Sequence, residues 1–420
     1  MSSITRVTPA DFAAPPVIAR LRRRSMILGA VFSAIAIIIA IAESVQSSKH
    51  APTLFLQAYL VGFMFWLGVT LGSLALLMLQ YTSGGNWGII GRRFWEAATR
   101  TLPLMFLLWL PIVFGMKTLF PWVTMSAESL VPDREKFWLN PTLFVIRGII
   151  YFVLWWLWAW RLNRWSRVEE EGLSTPQKFV SIQNFSGAGI VMYALTITFA
   201  SVDWVMSLNP MWWSTVWGML FMVGECLTAF AFTIWLLAQL APIEPMRRIF
   251  KTDFFHDYGK LMFAFVILWA YLSFAQWLII WSGNITAEIR WYLDRAHGHW
   301  KVVATGLIFF HFVLPFALLL SRNLKRQPRR LVRMAIWIML VRLVDLFWLV
   351  QPSFHPATVE ARGAIENLAP MNWQVVGMNV INVLAIGGVW LTVFFWYLDK
   401  RPIVPVNDPH FVEMVEAKHG

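Results

Sequence analysis

Val202-Asp203-Trp204-Val205-Met206-Ser207-Leu208-Asn209-Pro210 returns in altered form as Val344-Asp345-Leu346-Phe347-Trp348-Leu349-Val350-Gln351-Pro352. Each copy ends an apolar segment with a Val-Asp pair and sets a proline seven residues beyond the aspartate. A carboxylate inside a membrane helix is costly, so two at matching positions ask for an explanation. Either they mark a site, or common ancestry put both there.

The chain around them has 420 residues, 58% of them hydrophobic and 14% charged, with 26 tryptophans. That composition is the signature of a polytopic membrane protein and excludes a soluble domain. Apolar segments run from Met26 to Ala42 and over about 57 to 80, 101 to 120, 142 to 160, 188 to 208, 212 to 238, 260 to 282, 301 to 320, 332 to 350 and 374 to 398. Each is roughly 20 residues, enough at about 1.5 Å per residue to cross a hydrocarbon core about 30 Å thick. The expectation is an all-α membrane protein with ten transmembrane helices. Residues 1–24 read as a polar tail ending in Arg20, Arg22, Arg23 and Arg24, and with Ala40-Ile41-Ala42 they imitate a signal peptide. The apolar run is long for that purpose, so a retained first span is expected.

The net charge of +12 follows topology and does not point to nucleic acid. With the N-terminus inside, 25 of the 35 Lys and Arg fall on the inner side and 8 on the outer, leaving Arg147 and Arg342 within spans. Both termini are then cytoplasmic. Tryptophans near helix ends, such as Trp122, Trp212, Trp213, Trp281 and Trp291, suit the lipid–water boundary.

The chain reads as a single integral membrane domain, 1–420, with an internal duplication. Spans 2 to 5 (57–210) and 6 to 9 (211–352) form two consecutive four-helix bundles, and the opening motif closes each one. Span 1 with its outer loop (25–56) and span 10 with the C-terminal tail (353–420) flank them. Leu104-Met105-Phe106 against Leu261-Met262-Phe263, and Arg147-Gly148-Ile149-Ile150 against Thr305-Gly306-Leu307-Ile308, are weaker echoes. The repeat is parallel, not inverted. The loops are too short for a further domain, and the inner ones (81–100, 161–187, 239–259) carry many of the basic residues.

Depth follows from the helical rise. Asp203, Gln276 and Asp345 fall roughly 7 to 9 Å below the outer boundary, Arg342, His311 and Tyr271 roughly 13 to 16 Å, and Glu225 at about 20 Å. These are the candidate site residues. Arg342 and Asp345, three apart on one helix face, form either a self-neutralising pair or part of a site. No cation shares a span with Asp203, which is therefore a functional acid or a partner in a hydrogen bond between helices. His311 is a core histidine, a proton acceptor or a ligand to a quinone oxygen. Glu225, beside Cys226 and Thr228, is a deep proton station or a satisfied interhelical contact. Arg147, near the end of its span, is expected to snorkel outward. In span 7, Tyr271, Ser273, Gln276, Trp277 and Trp281 interleave polar and aromatic groups in a manner suited to an amphipathic ring, although an aromatic stripe is usually packing.

A single cysteine, Cys226, cannot hold an iron–sulfur cluster or an attached c-type haem. His311 has no second intramembrane histidine to ligate a b-haem, because His50, His256, His297, His299 and His355 lie in loops or at ends. Gly84-Gly85 is a turn and not a phosphate loop. Neither a metal site nor a haem or iron–sulfur cluster is expected in this chain.

Three stretches together resemble a known family: Ser201-Val202-Asp203-Trp204-Val205-Met206-Ser207-Leu208, Phe274-Ala275-Gln276-Trp277-Leu278-Ile279-Ile280-Trp281-Ser282-Gly283-Asn284 with Glu288 and Trp291-Tyr292-Leu293, and His311-Phe312-Val313-Leu314-Pro315-Phe316 before Ser321-Arg322. They are similar to the ActF-type membrane subunit of bacterial alternative complex III, in the NrfD/PsrC superfamily, over nearly the whole chain. The resemblance implies a quinol:cytochrome c oxidoreductase in the bacterial inner membrane. Its implied partners are a multihaem cytochrome c subunit, an iron–sulfur subunit and a paralogous ActC-like membrane subunit, with lipids around them. The implied cofactor is a quinone, menaquinone or ubiquinone. Asp203, Gln276, Trp277, His311 and Asp345 become candidates for a quinone pocket, and Asp203, Glu225, Tyr271, His311, Arg342 and Asp345 for a proton pathway. Two rivals stand beside this reading: a secondary transporter, suggested by the repeats and by Pro103, Pro111 and Pro315 within spans, and a passive anchor for peripheral redox subunits.

Overall fold

Prolines and short polar caps begin the long helices, and paired glycines end one. Asn140 accepts backbone bonds from Thr142 and Leu143 at 2.9 and 3.2 Å ahead of a helix that starts at Pro141. Thr175 caps a helix starting at Pro176 in the same way, and another starts at Pro328. Gly84 and Gly85 follow the second helix with φ of 63° and 80°, a left-handed turn that side chains resist. The computed structural model describes residues 9–46, 53–125, 138–173, 175–250, 252–354, 358–359, 365–366, 373–409 and 411. His50, His355 and much of the loops 121–141 and 351–373 lie outside the described residues.

The main helices are α1 (Pro16–Gln46), α2 (Thr53–Ser83), α3 (Ile89–Thr99), α4 (Leu102–Phe114), α5 (Pro141–Glu170), α6 (Pro176–Trp204), α7 (Trp217–Leu240), α8 (Thr252–Gly283), α9 (Gly298–Leu307, continued through a π-helical turn to Leu320), α10 (Pro328–Val350) and α11 (Trp373–Leu398). Among the described residues nine helices are long and apolar enough to cross a membrane, and α3 with α4 forms a pair bent by 44° that is either a broken span or a re-entrant loop. The protein is an all-α, multi-pass membrane protein. A two-residue antiparallel ladder, Thr358–Val359 with Ile365–Glu366, lies between α10 and α11.

The spanning helices extend beyond the apolar stretches: α1 begins at Pro16 and carries the arginine run on its first turns. The third stretch, expected over 101 to 120, is helical over Leu102–Phe114 and, past Gly115, over Met116–Leu119. Residues 89–99 were expected in a basic loop, yet every residue of α3 is buried.

α2 and α7 form the middle of the molecule, and α2 is buried along its whole apolar stretch. A helix apolar all round belongs inside, provided its neighbours can approach. Small residues allow this: a Cβ on Gly72 would come within 2.2 Å of the Glu225 carbonyl oxygen on α7. α1 leans mainly on α11, where Gly29 meets Gly388 backbone to backbone. At this end of the molecule the segments before α1 and after α11 meet, the Ile403 amide donating to the Phe12 carbonyl at 3.0 Å and Arg22 pairing with Asp399 at 3.0 Å. We refer to it as the terminal end.

Candidate functional site

Both copies of the opening motif end a spanning helix in a 3-10 turn, Met206–Leu208 after α6 and Gln351–Phe354 after α10. The two corners touch. Asn209 donates to the Ser353 hydroxyl at 2.6 Å, and the buried Arg295 donates to the same hydroxyl and to the Leu349 carbonyl, both at 2.9 Å. The guanidinium of Arg295 also lies 3.6 Å from the centre of the Trp291 ring.

Within this frame the two aspartates have different surroundings. Arg147 on α5 does not snorkel away. It donates to Asp203 from Nε at 2.9 Å and from Nη2 at 2.7 Å, and the Tyr151 hydroxyl donates at 2.8 Å. Asp203 is thus a fully engaged carboxylate. Thr305, set against Arg147 in the second half by the sequence echo, bonds through its hydroxyl to its own helix at Lys301. There the cation comes from Arg342, which donates to Asp345 on the same helix. Trp269 on α8 donates its Nε1–H to the same carboxylate at 3.1 Å.

His311 joins this second group by packing. Its ring stands edge to face with Trp269, 3.9 Å between centres. Pro315 explains the local backbone: it has no N–H for the His311 carbonyl four residues earlier, and the helix passes through a π turn over Ile308–Val313. His311 is wholly buried, and neither imidazole nitrogen has a hydrogen-bond partner among the described residues. Arg342 in turn lies against α7, where a Cβ on Gly224 would be 2.2 Å from its Cζ. The next residue, Glu225, accepts from the Tyr193 hydroxyl at 2.6 Å through Oε2, while Oε1 is buried and unpartnered. His311, Trp269, Asp345, Arg342, Glu225 and Tyr193 therefore follow one another across α9, α8, α10, α7 and α6. Unpartnered polar atoms at such depth are rare in folded proteins and mark places where a further donor or acceptor belongs.

Other expected members do not converge here. Gln276 is buried, but it lies seven residues beyond Trp269 on α8, about 10 Å along the axis, against the Tyr292 hydroxyl. Tyr271 is 65% exposed and Trp277 39% exposed, on the outward face of α8. The spacing of α8 placed Tyr271 at the right depth but could not say which face was covered.

The terminal end holds a second polar group that inspection of spans passed over. On α3, Arg92 pairs with Glu169 of α5 and with Asp408 beyond α11. Arg93 donates to Glu96 at 2.8 Å and to Ser166 at 2.7 Å, while Arg401 reaches Glu96 at 3.1 Å and pairs with Glu170. Arg92, Arg93 and Glu96 sit three and four apart, a spacing that signals mutual pairing on a helix even in a stretch that looks like a basic loop. In comparisons with known proteins, no family model and no curated protein matches the chain.

Proposed function

We propose that this chain is the integral membrane subunit of a respiratory quinol:cytochrome c oxidoreductase, of the alternative complex III kind, and that its own part is a proton route through the second half. The buried succession from His311 to Tyr193, with both imidazole nitrogens and Glu225 Oε1 left unpartnered, is the observation that carries this reading. Proton transfer needs ionisable groups in sequence, each within reach of the next, and a water molecule can bridge the remaining gaps. Asp345 and Glu225 would exchange the proton, Arg342 would hold Asp345 charged, and Tyr193 would stabilise the Glu225 carboxylate. Asp203, already closed by Arg147 and Tyr151, acts as a structural tie.

The residues present fit a quinol only in part. A bound quinol would supply two electrons and two protons, and His311 has the free nitrogens to hold one ring oxygen. Gln276 and Trp277 stand apart from it, so the expected pocket does not close around a ring. For that reason electron transfer belongs with the ActC-like sister subunit and with the multihaem cytochrome c and iron–sulfur partners.

Two features support the wider arrangement. α2, α4, α5 and α6 pack on one another, as do α7 to α10, which favours two consecutive four-helix bundles. The contact between the segments before α1 and after α11 supports an even number of crossings, hence ten with α3 and α4 as one. The terminal end carries Arg20, Arg22, Arg23 and Arg24, so it faces the cytoplasm of a bacterial inner membrane.

Purification in mild detergent tests the assembly: c-type haem and iron–sulfur signals should accompany the chain, and a colourless protein that moves a solute in liposomes would sink the reading. In the intact complex, Glu225→Gln should cut proton translocation at least about tenfold while electron transfer continues. An unchanged proton yield would assign the chain to anchoring alone.

A further inference from the structure

A crevice opens at the terminal end between the break in the α3–α4 pair and the last turn of α11. It is a shallow recess open to solvent, and Arg93, Glu96, Arg100, Tyr397, Arg401 and Pro402 are among its lining residues. Arg93 and Arg401 share Glu96 and Glu170, while Glu169 and Asp408 pair with Arg92. Arg100 differs from the other arginines of this end. Its Nε donates to the Asn163 side chain at 2.7 Å and its Cζ stands 5.8 Å from the Tyr397 ring centre, but no carboxylate lies within ion-pair distance among the described residues. Its Nη2 is buried and has no hydrogen-bond partner, nor has the Nε of Arg93.

From this geometry we infer that the crevice binds the phosphodiester headgroup of an anionic phospholipid. A guanidinium that lacks an anion, as that of Arg100 does among the described residues, matches phosphate oxygens in charge and in donor geometry. Basic recesses between membrane helices at the boundary are where such headgroups bind. Tyr397 and Pro402 supply a partly exposed apolar rim at the end of a spanning helix, which a lipid's glycerol and upper acyl carbons can cover and a free phosphate ion cannot. Arg100 stands at the 44° break, so the bound headgroup would also brace the bend.

Full-length protein, stripped of lipid in detergent, is titrated with mixed micelles containing phosphatidylglycerol, with phosphatidylcholine micelles, and with inorganic phosphate alone, reading the thermal midpoint. Phosphatidylglycerol should raise the midpoint by several degrees and phosphatidylcholine should not. In Arg100→Gln, which can keep the hydrogen bond to Asn163, most of that rise should be lost, while Arg329→Gln with Arg330→Gln, on an exposed basic stretch remote in sequence, should retain it. Native mass spectrometry gives a second readout that does not depend on stability: the wild type should carry one more phosphatidylglycerol than Arg100→Gln, and Arg100→Lys should recover it. An Arg100→Gln protein that keeps the full rise and the lipid overturns the site. A rise reproduced by inorganic phosphate overturns the lipid as its occupant.

Discussion

Arg147 grips Asp203 through two nitrogens, and Tyr151 adds a third bond, so removing one partner leaves a charge stranded in an apolar setting. Asp203→Asn should cost about 3–5 kcal/mol, whereas Asp203→Leu combined with Arg147→Met should recover much of it. Unfolding titrations of both proteins in mixed micelles, compared with the wild type, read this directly. Asp345 should respond differently, because Arg342 is also packed over Gly224 and next to Glu225. Asp345→Asn is expected to lower proton translocation more than it lowers stability, and measuring both on one preparation separates the two roles. The acids themselves were legible in the sequence, since a lone carboxylate in an apolar run stands out. Their partners were not: Arg147 lies on another helix, and no local spacing links it to Asp203. His311 was visible, but its meeting with Trp269 depends on how α8 and α9 turn toward each other.

Helices α2 and α7 are held at close range by missing side chains. Gly72→Leu would drive a branched group into the Glu225 backbone, and a loss of about 3 kcal/mol or more is expected, since overpacking commonly costs about 1–3. Gly377→Ala on α11 is the control. Nothing lies near its Cβ position, so its midpoint of unfolding should stay level or rise slightly. The apolar spans were readable because length and hydropathy report them without tertiary information. α3 was not. Its arginines look solvated until Glu169 and Asp408, far along the chain, are brought beside them.

Across the whole molecule, the terminal end is sealed by the segments before α1 and after α11. Asp408→Ala should strip Arg92 of one partner and loosen the segment after α11, giving faster protease cleavage near residues 403–409 with the spans intact. The multi-pass character followed from composition, while the meeting of the segments before α1 and after α11 could not be read from it. That meeting has a consequence for biogenesis. α1 is made before its main partner, α11, with the other described spans between them. During synthesis α1 must reside in the bilayer without α11, with Gly29 facing lipid in place of Gly388, until α11 arrives and the Phe12–Ile403 bond can form. The two are therefore joined by a late clasp, and nascent chains arrested before α11 should leave α1 free to be crosslinked to lipid or to the insertion machinery.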